Sequence, residues 1–132
     1  MRLKNIKRIL VVDDERDVRA MCTDVLEDAG FETGTAATCD GALMEMEENE
    51  ADAMLLDIEL PDEDGLSFLP RFKKLYPNVP VIMFTAYGYD EARMKTALEN
   101  GAQGYVGKGA EIENMLVAVR NVLRESAVPG EV

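Results

Sequence analysis

The sequence predicts a doubly wound α/β fold, with a five-stranded parallel sheet and five helices. Three observations predict it. Short, β-branched apolar runs alternate with helical patterns five times along the chain. Several of the runs are continuous rather than alternating, as strands buried on both faces should be. The length of 132 residues, 47% of them hydrophobic, suits one domain with its own core. Alternating strands and helices then imply right-handed parallel crossovers.

The elements follow in order. Ile9-Leu10-Val11-Val12 is the first strand. In the helix after it, Val18, Met21, Cys22, Val25, Leu26 and Ala29 recur at helical spacing, and Gly30 supplies the stop. Phe31 to Ala36 reads as a weaker, edge-like strand, and Asp40 to Glu48 as a helix with Ala42, Leu43 and Met46 inward. Ala53-Met54-Leu55-Leu56 is the third strand. Gly65 to Tyr76 is a helix with Leu66, Leu69, Phe72 and Leu75 on one side. Val81-Ile82-Met83-Phe84 is the fourth strand, followed by a helix from Tyr89 to Asn100 that Gly101 stops. Gly104-Tyr105-Val106 is a short fifth strand, and the last helix runs from about Glu111 to Glu125. From Ser126 the helical pattern is lost. Residues 1–125 are thus expected to form the domain, and 126–132 a C-terminal tail or the start of a linker.

Composition narrows the function. Fourteen basic residues stand against 26 acidic ones, a net charge of −12. Such a surface repels phosphate backbones, so direct nucleic-acid binding is not expected. Cys22 and Cys39 form no C-x-x-C pair, and histidine is absent. A structural zinc site is therefore not expected, and no Ser-His-Asp triad or phosphohistidine can form within this chain. No apolar run reaches the roughly 18 residues that span a bilayer. The basic start is followed by too short an apolar stretch for a signal peptide, so no membrane is expected and a cytoplasmic location is.

In open α/β sheets, ligands bind beyond the carboxyl ends of the strands. Asp13, Asp14 and Glu15 follow the first strand, Asp57 the third, Thr85 the fourth and Lys108 the fifth. Each has an ordinary reading. Asp13 or Asp14 can cap the next helix, Asp57 can serve its loop, Thr85 a turn, and Lys108 a solvated surface. Their convergence on one edge favours chemistry. Close carboxylates repel, and a hard divalent cation removes that cost. Mg²⁺ suits a site with few carboxylates and a phosphate oxygen. An Asp57 carboxylate so neutralised can attack phosphorus, while Lys108, the Thr85 hydroxyl and the Ala86 N–H stabilise the arriving charge.

The set of Val11-Val12-Asp13-Asp14-Glu15, Leu55-Leu56-Asp57-Ile58-Glu59-Leu60-Pro61, Phe84-Thr85-Ala86 and Tyr105-Val106-Gly107-Lys108 resembles the receiver domain of bacterial response regulators in two-component signalling. The resemblance covers roughly Lys7 to Glu125. It implies a flavodoxin-like sheet of strand order 2-1-3-4-5. It implies a phosphoacceptor at Asp57, fed by a sensor histidine kinase or a histidine phosphotransfer protein. Mg²⁺ would be held by Asp13, Asp14, Asp57 and the backbone carbonyl of Glu59. Thr85 and Tyr105 would be the switch residues that change the surface of the fourth helix, fifth strand and fifth helix. A C-terminal output domain absent from this chain and a phosphorylation-dependent homodimer are further expectations. Such a protein assists its own phosphorylation and dephosphorylation but has no independent substrate turnover. The resemblance also places Glu59 and Tyr87 beside the path of the hydrolytic water, where they would influence phosphate lifetime.

The family pattern has Pro after the lysine, commonly with a cis bond. Here Gly109 follows, so a trans Lys108–Gly109 bond is the expectation; Gly109 can aim the loop either way, and Lys108 keeps its role because no other Lys or Arg follows a strand end. Two rival functions stand beside this reading. One is a phosphohydrolase with an aspartyl-phosphate intermediate, which usually needs a cap that these short loops lack. The other is a pseudo-receiver, an interaction module that never takes phosphate.

Overall fold

The computed structural model describes residues 6–86 and 90–125. Strand β1 (Arg8–Val12), helix α1 (Arg16–Asp28), β2 (Glu32–Ala36) and α2 (Cys39–Glu48) come first. Then follow β3 (Ala53–Leu56), α3 (Gly65–Leu75), β4 (Val81–Thr85), α4 (Glu91–Glu99), β5 (Gly104–Gly107) and α5 (Ile112–Glu125). Among the described residues the five strands pair in parallel, in the order β2-β1-β3-β4-β5. The tail from Ser126 and the expected helix start at Tyr89 lie outside the described residues.

Strand periodicity divides the core into two layers. Leu10, Val12, Met54, Leu56 and Met83 face α2, α3 and α4, where Ala42, Met46, Phe68, Leu69 and Phe72 cover them. Ile9, Val11, Leu55, Ile82 and Phe84 face α1 and α5, covered by Cys22, Leu26, Met115, Val119 and Val122. β3 and β4 are buried along their whole length, which explains their unbroken apolar runs.

Three sequence-based details differ. Met21 is 41% exposed. The buried stripe of α1 is centred on Cys22 and Leu26, and Met21 lies one residue round the helix from it. Leu75 is 59% exposed, whereas Phe68 is fully buried. Tyr76 lies against Phe72, with ring centroids 5.1 Å apart, and covers the end of α3 in place of Leu75. Thr85 is the last residue of β4 rather than the first after it.

Candidate functional site

The site is built at the carboxyl edge of β1, β3, β4 and β5. The Asp13 N–H donates to the Ala36 carbonyl at 3.0 Å, and the Asp57 N–H to the Val12 carbonyl at 3.0 Å. These bonds extend the sheet ladder and fix both aspartates to it. Asp13 Oδ1 accepts from the Glu15 N–H at 2.9 Å, which turns the chain towards α1. The N-cap of α1 is Glu15, without a side-chain cap bond, so neither Asp13 nor Asp14 caps this helix. Arg19, one turn into α1, donates to the Asp13 carbonyl at 2.8 Å. Sequence reasoning missed this contact; the signal was an arginine one turn after the acidic run, whereas Arg16 lies against Asp17.

Lys108 crosses the site. Its Nζ lies 2.7 Å from Asp13 Oδ2, 3.1 Å from Asp57 Oδ2 and 3.4 Å from Glu15 Oε1. The Lys108 N–H donates to the Thr85 carbonyl at 2.7 Å, anchoring the lysine to the end of β4. The Lys108–Gly109 bond is trans, as expected for a non-proline junction. Sheet pairing thus aims Lys108 without a proline.

Asp13 and Asp57 are 1% and 4% exposed, Thr85 is fully buried, and Asp14 is exposed. Carboxylate oxygens of Asp13, Asp14 and Asp57 all lie within 4.8 Å of one another. They fit a hard divalent cation, because converging carboxylates need more positive charge than one ammonium supplies. An open cleft of about 180 Å³ lies over Asp14 and Asp57, lined also by Glu15, Glu59, Thr85, Ala86 and Lys108. Tyr105 on β5 is half-buried and packs against the α2–α4 layer. Tyr87 lies outside the described residues.

Burial, then the Asp13 carboxylate, pushes the Asp57 carboxyl up to about 6, against the opposing pull of Lys108 and the Glu59 N–H. Burial works against the Lys108 ammonium, but Asp13 and Asp57 outweigh it and hold the group above the ordinary lysine range. The Asp57 carboxyl is more basic in the folded than in the unfolded chain, so metal-free protein loses stability as pH rises from about 4 to about 6. The loss is about 2 to 3 kcal/mol at most. Urea midpoints in chelator at about pH 4 and about pH 7, which bracket that window, should show it. Asp57→Asn should remove most of this slope; an unchanged slope would assign it to other groups.

Among the described residues no helix is long and apolar enough to cross a membrane. The family described as "Response regulator receiver domain" matches residues 9–120. The phosphate regulon transcriptional regulatory protein PhoB of Escherichia coli is 36% identical over 120 residues, covering 89% of this chain and 52% of PhoB. The nitrogen assimilation regulatory protein NtrX of Azorhizobium caulinodans is 33% identical, with 94% of this chain and 28% of NtrX covered. The chain thus spans about half the length of PhoB and less of NtrX. A CheY-like receiver domain crystal structure from Methanospirillum hungatei superposes with a TM-score of 0.85 at 32% identity, over 92% of this chain and 97% of that one. The beryllofluoride-activated NtrC4 receiver domain dimer gives 0.85 at 30% identity, over 92% and 100%. Acids and a lysine gathered at one sheet edge, the strand order and the match over nearly the whole sheet agree: this chain belongs to the response regulator receiver domain family.

Proposed function

We propose that the chain accepts a phosphoryl group on Asp57 from a phosphohistidine of a sensor histidine kinase or histidine phosphotransfer protein. The observation that carries this is the buried Asp57 carboxylate, reachable through the cleft, with Asp13, Asp14 and Lys108 converging on it. An Asp57 oxygen attacks phosphorus, the phosphorus–nitrogen bond to the donor breaks, and an acyl phosphate remains. Asp13, Asp14, Asp57 and the Glu59 carbonyl would hold Mg²⁺, which when bound neutralises the carboxylates and the phosphoryl oxygens.

This chain's own groups do the rest. Lys108 shifts its charge from Asp57 to the new phosphoryl group. The Thr85 hydroxyl and the Ala86 N–H donate to phosphoryl oxygens. Drawing Thr85 towards the phosphate opens space that Tyr105 enters from β5, and the α4–β5–α5 surface changes. A partner, an output domain following Ser126 or a second copy in a homodimer reads that surface. The domain itself ends with α5, and it turns over no independent substrate.

Beryllofluoride with Mg²⁺ tests the reading against a phosphorylation-independent pseudo-receiver. Wild type should show amide resonance shifts at Thr85, Ala86 and Lys108, and Asp57→Asn should show none. A silent wild type would favour the pseudo-receiver.

A further inference from the structure

The loop between β3 and α3 carries Glu59, and it is tied down far from the acids. Its stem is fixed by the Gly65 N–H, which donates to the Ile58 carbonyl at 2.6 Å, and by an antiparallel bridge between Glu59 and Asp64. Its apex is tied to another helix. Asp62 Oδ1 accepts from the Cys39 N–H at 3.0 Å, and Asp62 Oδ2 accepts from the Asp40 N–H at 3.1 Å. Thr38 Oγ1 accepts from the Gly41 N–H at 2.9 Å. Helix N-termini leave such donors without intrahelical partners. Here one carboxylate, 23 and 22 residues further along the chain, satisfies two of them. The Cys39 thiol lies beneath the same apex, 3.8 Å from the Glu63 carbonyl.

We infer that Asp62 is a positioning residue for the Glu59 carbonyl, coupling the metal site to the N-terminus of α2. This rests on the proposed Mg²⁺ role of Glu59. Asp62 touches none of the three converging aspartates, so it acts through the strap from Asp57 to Gly65. Held at both stem and apex, the strap presents the Glu59 carbonyl in one place. Released at the apex, it samples several. Coupling is reciprocal, so Mg²⁺ binding must tighten the contact over Cys39 as much as that contact favours Mg²⁺.

Two cysteines make this measurable. Both are fully buried, but Cys39 lies under the strap in the α2–α4 layer, whereas Cys22 lies in the α1–α5 layer. Alkylation of Cys39 reports the strap, and alkylation of Cys22 reports loss of the whole fold. The experiment measures Mg²⁺ affinity by calorimetry, and alkylation of each cysteine by peptide mass with and without Mg²⁺. Asp62→Ala should weaken Mg²⁺ about fivefold, the low end of typical coupling. It should speed Cys39 alkylation and leave Cys22 unchanged. Mg²⁺ should protect Cys39 in wild type but not in Asp62→Ala. Asp62→Asn, which keeps one acceptor oxygen, should fall between them. Unchanged Mg²⁺ affinity in Asp62→Ala, or equal acceleration of both cysteines, would overturn the role of Asp62 alone. No Mg²⁺ uptake by wild type would overturn the metal reading as well.

Discussion

Gly65→Ala is expected to lower stability by about 3 kcal/mol, the upper end of typical overpacking. A Cβ at this position would overlap the Asp57 carbonyl oxygen and lie 3.0 Å from its carbonyl carbon and 3.1 Å from Ile58 Cα. All of these are backbone atoms, so no side chain can swing aside to make room. The φ of Gly65 is ordinary, and space rather than conformation demands glycine there. The first residue of α3 has to pass against the end of β3, and what would move is the Asp57 peptide itself. Urea unfolding measures the loss, and phosphorylation should slow with it. Gly109→Ala is the control, since a Cβ there meets nothing within 4 Å. It should stay within about 0.5 kcal/mol of wild type. A Gly65→Ala protein as stable as Gly109→Ala would contradict the packing argument.

Lys108→Ala is expected to move metal affinity and phosphoryl transfer in opposite directions. The ammonium lies against Asp13 Oδ2 and Asp57 Oδ2, two of the oxygens proposed to hold Mg²⁺. Removing it removes a competing positive charge, so Mg²⁺ should bind about tenfold tighter, roughly 1.4 kcal/mol. Without metal, two buried carboxylates lose their cation, and stability in chelator should fall by about 3 kcal/mol. Added Mg²⁺ should restore it. Labelling by an acyl-phosphate donor should nevertheless fall at least about a hundredfold, because the developing phosphoryl charge loses its fixed partner. Weaker Mg²⁺ binding in Lys108→Ala would mean that the lysine organises the acids rather than competing for them.

Much of this was legible in the sequence. Ala53-Met54-Leu55-Leu56 could only be a strand buried on both sides, and the residue after it had to emerge at the ligand edge. The same logic placed Asp13 and Lys108. Contacts between elements were not legible. Nothing local tells that Asp62 reaches the first turn of α2, or that Arg19 turns back to the Asp13 carbonyl. Periodicity also put Leu75 in the core and passed over Phe68, because it cannot show where Tyr76 closes the end of the helix. At Gly109 the sequence departs from the family's proline, and the lysine is instead aimed by a backbone bond to Thr85 that only the sheet pairing supplies.

Glu15 sharpens the charge argument. It adds a third acid to Lys108, at 3.4 Å and largely exposed. An exposed pair at that distance contributes little to stability, about 0 to 1 kcal/mol. The lysine therefore belongs energetically to Asp13 and Asp57; in the proposed reaction it would exchange Asp57 for a phosphoryl oxygen.

The central claim is that Asp57 takes the phosphoryl group. Intact-mass measurement after incubation with a small acyl-phosphate donor and Mg²⁺ tests it most directly. Wild type should gain one phosphoryl group, borne on the peptide containing Asp57 and lost on adding chelator before the donor, while Asp57→Asn gains none. Equal labelling of wild type and Asp57→Asn would contradict the account.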